Sequence, residues 1–273
     1  MQVDKAHKQT DAILHQLENK LKRVYQSSYN ELKTKMASIM NKMELSKDLT
    51  PQQRYNLACK YDRLSKLEAE MVEGLRNATK EAVKMINDEM VNVYQINSNY
   101  EIDRLGVGSS FSKQAVKGVL NKEVVPFQKL AINNLQNAEL IRSNLSRELL
   151  NGIMQGDSIT NMSYRFKDIV QRNLKDCIRI ARTETTRVES HARWSVGKQA
   201  EKAGLKVVKE WIATSDHRTR DAHMEANGQR VGMDEPFIVG GEELMYPGDP
   251  NGSPENVINC RCTVIPVVLD VNK

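Results

Sequence analysis

Two long runs of apolar residues at helical spacing constrain this chain more than any other feature. Between Val3 and Met43, the residues Ala6, Ile13, Leu14, Leu17, Leu21, Val24, Leu32, Met36, Ile39 and Met43 fall on one helix face. A second seam runs Leu57, Tyr61, Leu64, Leu67, Met71, Leu75, Ala78, Ala82, Met85, Met90 and Val93, with Gly74 its one weak point. It opens at Thr50-Pro51-Gln52-Gln53, where Thr50 can cap, Pro51 suits the first helical position and Gln53 closes a capping box. A stripe this long has to be covered. Its period is compatible with an antiparallel helical hairpin and with an extended oligomeric coil, and does not choose between them. The methionines in the seam read as core filler.

Aromatic residues make up only 5% of the 273, which excludes a large β-rich core for most of the chain. No run of about 18 apolar residues occurs and the first residues are polar and mixed in charge, so neither a membrane partner nor a secretory signal is expected. Four cysteines without framework spacing point to reduced thiols in a protein made in a cytosol.

A polar, Gly-rich stretch near 97–113 reads as a connector. Helical patterns resume at Ala115–Leu120 and at Val125–Leu150, and Gly152 and Gly156 close that unit. Asp157 or Ser158 can cap a further helix whose apolar face runs from Ile159 to Ala200, with Gly204 as its stop. The grammar then changes. Leu205–Thr214 is β-branched and partly alternating, Asn227-Gly228 is a turn beside another strand candidate, Pro236–Val239 and Cys262–Val268 are strand-like, and a Pro/Gly-rich loop lies between them. The expected fold is mainly α: a long-helix N-terminal region over 1–156, a basic connecting helix over 157–204, and a small α+β C-terminal module over 205–273. The core of such a module is thin, which invites a staple or a docking surface.

Charge follows the same division. Residues 1–164 carry 23 Lys and Arg against 19 acidic residues, 165–209 carry 12 against 5, and 210–273 carry 5 against 11, so the net charge of +5 conceals segments of +4, +7 and −6. Arg172, Lys175, Arg179, Arg187, Arg193 and Lys198 on the basic helix are candidates for neutralising phosphates without reading bases. The alternative is a solvated face with intrahelical pairs Glu184–Arg187 and Glu189–Arg193.

The densest motifs lie between Arg182 and Cys262. They are Ala181-Arg182-Thr183-Glu184-Thr185, then Trp211 followed by Asp216-His217-Arg218-Thr219-Arg220, His223 and Asn227-Gly228, then Tyr246-Pro247-Gly248-Asp249-Pro250, and finally Asn259-Cys260-Arg261-Cys262. In this order, over roughly residues 160–268, they resemble the phage Mu F-like minor head proteins, the head morphogenesis proteins of tailed bacteriophages. The resemblance implies a minor capsid component in the virion, inside the head near the portal vertex. It implies as partners the portal protein, a scaffold or major capsid protein, and double-stranded DNA bound without sequence preference. It also implies that Arg182, Glu184, Trp211, Asp216, Arg218, Arg220, His223, Asn227, Gly228, Cys260 and Cys262 serve structural roles.

No catalytic residue is expected. No Ser-His-Asp order, phosphate-binding loop or paired carboxylates occur, and the consecutive residues Arg182, Thr183 and Glu184, which resemble elements of ADP-ribosyltransferases, point in three directions on one helix. The favoured arrangement pairs Arg182 with Asp216 and uses Asp216 to cap the short helix carrying His223. No cofactor is expected. Zinc held by His223, Cys260 and Cys262, with His217 or Asp216 as fourth ligand, is the alternative to buried thiols beside a His223 hydrogen-bonded to backbone. The resemblance implies a metal site in several members of that family, which carry Cys where Arg220 and His223 stand here and a His where Val257-Ile258 lie; this sequence lacks two of those ligands.

Overall fold

A computed structural model describes residues 4–42, 48–59, 63–123 and 143–269. The helices are α1 (Lys5–Lys42), α2 (Pro51–Cys59), α3 (Arg63–Leu105), α4 (Lys113–Glu123), α5 (143–155) and α6 (Ile159–Lys202). There follow β1 (Val207–Ile212), α7 (Asp221–Glu225), β2 (Arg230–Gly232), β3 (Phe237–Val239), β4 (Glu242–Leu244), α8 (Pro254–Val257) and β5 (Thr263–Val268). The chain is thus mainly α with a small C-terminal α+β part. The patterns read over 124–142 lie outside the described residues.

These residues form two compact units that cut across the linear segments: one draws on 1–18, 85–128 and 179–273, the other on 19–84 and 129–178. In the second unit α1 and α3 run antiparallel. The Tyr25 hydroxyl lies 3.1 Å from Thr79 Oγ1, and Ser28 Oγ donates to the Gly74 carbonyl at 3.4 Å. Leu21, Leu32, Met36, Leu67, Met71 and Leu75 are buried between them, so the two seams cover each other as in a hairpin. The helices approach closely at Gly74, where a Cβ would lie 2.8 Å from Leu32 Cδ2. The capping box forms as read, with Gln53 N–H donating to Thr50 Oγ1 at 3.3 Å and Thr50 N–H to Gln53 Oε1 at 2.9 Å.

In the first unit β2, β1 and β5 form an antiparallel sheet in that order, with Trp211 opposite Val264, and β3–β4 make a separate hairpin. One apolar cluster joins Trp211, Phe237, Val239, Leu244 and Val264 to both Cys260 and Cys262. Another joins Val207 and Met233 to Val196 and Ala200 of α6 and Ile102 of α3. The module therefore completes its thin core by leaning on helices. Gly204, at φ +93°, ends α6 as expected, in a conformation that L side chains rarely adopt.

The stretch 97–113 is not a connector throughout. Helix α3 continues to Leu105, and Asn97, Ser98 and Glu101 are buried in it. Their polarity signals internal bonding: Asn97 Nδ2 donates to Thr10 Oγ1 at 2.8 Å.

Candidate functional site

The motif Arg182-Thr183-Glu184-Thr185 lies on the part of α6 against which the C-terminal loops close. Thr183 Oγ1 accepts from the Asn259 N–H at 3.1 Å, and Thr186 Oγ1 donates to the Cys260 carbonyl. Arg187 Nε donates to the Gly248 carbonyl at 2.7 Å, while its Nη1 meets Glu184 Oε1 at 2.6 Å. Gly248, at φ +81°, brings the loop so near that a Cβ would sit 3.0 Å from the Arg187 backbone. Asp249 folds the same loop, its Oδ2 accepting from the Met245 N–H at 2.8 Å and its Oδ1 from the Asn251 N–H at 2.9 Å. These motifs are the two halves of one joint.

The Asn-Cys-Arg-Cys segment follows α8. Asn259, held by Thr183, takes a left-handed φ of 56°, and Cys260 and Cys262 both turn inward. Their sulfurs meet His223 of α7: Nδ1 lies 3.4 Å from Cys262 Sγ and 3.6 Å from Cys260 Sγ. The Cys262 N–H donates to Cys260 Sγ at 3.4 Å. All three residues are buried, and their ligand atoms fall within 4.8 Å of one another. The interaction with Cys260, followed by that with His223, draws the Cys262 thiol down to about 5; the same partner and burial push Cys260 up. Trp211 packs edge-on to His223 with ring centroids 5.7 Å apart. Among the described residues, His223 Nε2 and Trp211 Nε1 have no hydrogen-bond partner. His223 thus faces sulfur through Nδ1, not the backbone group expected for it.

Neither expected fourth ligand joins them. His217 is exposed, and Asp216 is held by Arg261, whose Nη1 and Nη2 approach its carboxylate at 2.5 and 2.6 Å. This pairing, with the Arg218 N–H, holds Asp216 below the usual carboxylate range. Asp216 also does not cap α7: the N-cap is Arg220, whose Nη2 donates to the Ile258 carbonyl at 2.6 Å. Arg182 pairs with Glu18 at 2.7 Å in place of Asp216. Asn227 Oδ1 accepts from the Ala213 N–H at 2.9 Å and Gly228 N–H bonds the Trp211 carbonyl at 2.8 Å, so the Asn-Gly turn fastens the end of α7 to β1.

Three candidates on the basic helix are corrected by burial or pairing. Arg187 is buried in the joint, and Arg193 is fully buried among Asp4, Glu101 and Glu189. Lys198 is paired with Glu201 at 2.7 Å and Asp234 at 2.5 Å. A guanidinium enclosed by carboxylates cannot reach a phosphate. The intrahelical pairs Glu184–Arg187 and Glu189–Arg193 do form, but inside the fold. Arg172, Lys175 and Arg179 are exposed at i, i+3 and i+7 on α6.

Sequence reasoning missed Asp4, His7, Asn97 and Glu101, which build this buried network. Arg193 Nε donates to Asn97 Oδ1 at 2.9 Å, and His7 Nδ1 lies 2.7 Å from Glu189 Oε1. The available signal was that the seam's spacing continues from Val93 through Asn97 to Glu101 after its hydrophobicity lapses. A cleft of about 570 Å³ lies beside these groups, its wall including Glu18, Arg182, Glu189, Arg218 and Arg261. It carries both signs: Glu18 pairs with Arg182, Glu189 with His7 and Arg193, and Arg218 and Arg261 with Asp216.

Residues 143–265 match the family described as Phage Mu protein F like protein. Among individual proteins, the chain is 29% identical over 270 residues to minor head protein GP7 of Bacillus phage SPP1, covering 96% of this chain and 85% of that one. It is 32% identical over 128 residues to an NAD(+)–arginine ADP-ribosyltransferase, EFV, of Enterococcus faecalis, covering 47% of this chain and 26% of the enzyme. It is 31% identical over 124 residues to the uncharacterized protein YqbB of Bacillus subtilis, covering 44% of this chain and 40% of that protein. No solved structure matches. No helix among the described residues is long and apolar enough to cross a membrane.

Proposed function

We propose that this chain is a minor head protein that works in phage head morphogenesis, as a structural component of the virion. The observation that carries the reading is the match to the SPP1 minor head protein along nearly the whole of both chains. The geometry is in keeping with it, because the motif residues are engaged in internal bonds that fix a shape. In the finer reading, the protein associates with the portal and with scaffold or major capsid protein during assembly, and lies inside the head near the portal vertex. Co-expression with the cognate portal in the absence of DNA tests this: the two copurify as a complex, and separate elution of both folded proteins overturns portal association.

Contact with double-stranded DNA is a second part of the proposal, supported by the exposed row Arg172, Lys175 and Arg179. Replacing all three with Gln is expected to weaken binding equally for unrelated sequences and to lower the salt slope by about 2–3. Unchanged affinity in that variant removes DNA from the reading.

The named transferase does not move us to an enzymatic reading. Its match covers 26% of that protein. Here Glu184 is buried against Arg187, and Glu189, although it borders the cleft, is 2% exposed and engaged by His7, Arg193 and Thr263 Oγ1.

A further inference from the structure

We propose that His223, Cys260 and Cys262 bind one zinc ion as a structural staple of the C-terminal module, with a water molecule as the fourth ligand. Cys-x-Cys spacing is tight for zinc, and the expected fourth side chain is engaged elsewhere, so the case rests on what the three donors do in space.

A zinc ion with bonds of about 2.3 Å to sulfur and 2.0–2.1 Å to nitrogen in a tetrahedron separates an N and an S ligand by about 3.5 Å. The two N–S separations from His223 Nδ1 are 3.4 and 3.6 Å. One ring nitrogen thus faces two sulfurs at the edge length of a coordination tetrahedron. A hydrogen-bonded imidazole requires only one such neighbour.

The surroundings hold the donors in place before any ion arrives. Thr183 and Thr186 of α6 clamp the loop through Asn259 N–H and the Cys260 carbonyl, and Arg220 fastens it through the Ile258 carbonyl. The Cys262 N–H already points at Cys260 Sγ, the kind of outer bond that orients and stabilises a thiolate ligand. Trp211 packs edge-on against the imidazole. Two thiolates, a neutral imidazole and a divalent cation sum to zero charge, so an apolar shell can enclose the assembly, whereas lone buried thiolates would be costly.

Other uses of the triad fit less well. A catalytic thiol needs access, but both cysteines are 2% exposed. The cavity beside them, bordered by Thr214, Arg220, Asn259 and the triad, holds about 10 Å³, roughly one water and no substrate. That same space supplies the fourth position. Any proton still held by either sulfur passes to solvent as the two Zn–S bonds form.

The test is the metal content of the full-length protein purified from zinc-replete cells, with cobalt(II) exchanged into the same protein. We expect about one equivalent of zinc per chain and, with cobalt, the visible bands of a tetrahedral thiolate site. Chelation with EDTA should lower the thermal midpoint and make two thiols newly reactive to Ellman's reagent. Cys262→Ser and His223→Ala should lose the ion, whereas Cys59→Ser and Cys177→Ser should keep it. Zinc below about a tenth of an equivalent, with no cobalt bands, overturns the proposal. So does a full equivalent retained by folded Cys262→Ser and His223→Ala. If those variants do not fold, the metal content and cobalt spectrum of the unmodified protein decide alone.

Discussion

Arg193 holds Asp4 in a two-pronged grip, Nη1 to Oδ2 at 2.6 Å and Nη2 to Oδ1 at 2.8 Å, joining residues 189 positions apart in the chain. Glu101 and Glu189 complete the enclosure at 3.1 and 3.4 Å. Arg193→Met leaves these carboxylates without their cation and should cost about 3–5 kcal/mol of stability, measured by urea denaturation. DNA affinity of the remaining folded protein should be unchanged. A variant as stable as the parent would mean that the network contributes little.

His7 gives this region a pH dependence. Burial alone would lower its pKa, but Glu189 and Asp11 outweigh burial and the opposing Arg193 and raise it above the usual value of 6.5. The folded state then holds the proton more tightly than the unfolded one. Its contribution to stability is complete below about pH 6.5 and is lost as pH rises through the folded value. Unfolding free energy measured across that interval should fall with pH in the parent and fall less in His7→Gln. Equal slopes in both proteins would dismiss His7 as the source.

Gly248→Ala should destabilise by about 1–3 kcal/mol, from the strain of a positive φ together with the close approach to the Arg187 backbone. Calorimetry would show a lowered midpoint, and Gly204→Ala, with no heavy atom within 4 Å of the added carbon, should suffer less.

Thr186→Val keeps the shape of the side chain and removes the hydroxyl that bonds the Cys260 carbonyl. The unpaired acceptor should cost about 1–3 kcal/mol, and Thr186→Ser should recover most of it. Hydrogen exchange at Cys262 N–H, in the same loop, should quicken in Thr186→Val and not in Thr186→Ser.

The long helices could be read from the sequence because their apolar residues keep one period, and the capping box and Gly204 stop because each depends on a few neighbouring residues. The strands were legible from β-branched runs such as Val207–Ile212. What could not be read is which polar residues face inward. Arg193 and Arg172 are the same residue on the same helix, yet one is fully buried and the other exposed. The difference lies in Asp4, Asn97 and Glu101, brought near only by tertiary packing. Likewise Asp216 had two arginines at hand in sequence, Arg218 and Arg220, and its close partner is Arg261. At the cysteine loop, residue types suggested which groups could meet, but of the two candidates for the fourth position the fold pairs Asp216 with Arg261 and leaves His217 exposed.

The joint between α6 and the C-terminal loops bears on how this region can be transplanted. A cut at Leu205 would separate Thr183, Thr186 and Arg187 from the loops they fasten and would uncover the apolar face that Val196 and Ala200 share with Val207 and Met233. The smallest portable cassette therefore includes the helix as well as the strands. A gene fusion that borrowed only the stranded part would inherit a lid without its hinge.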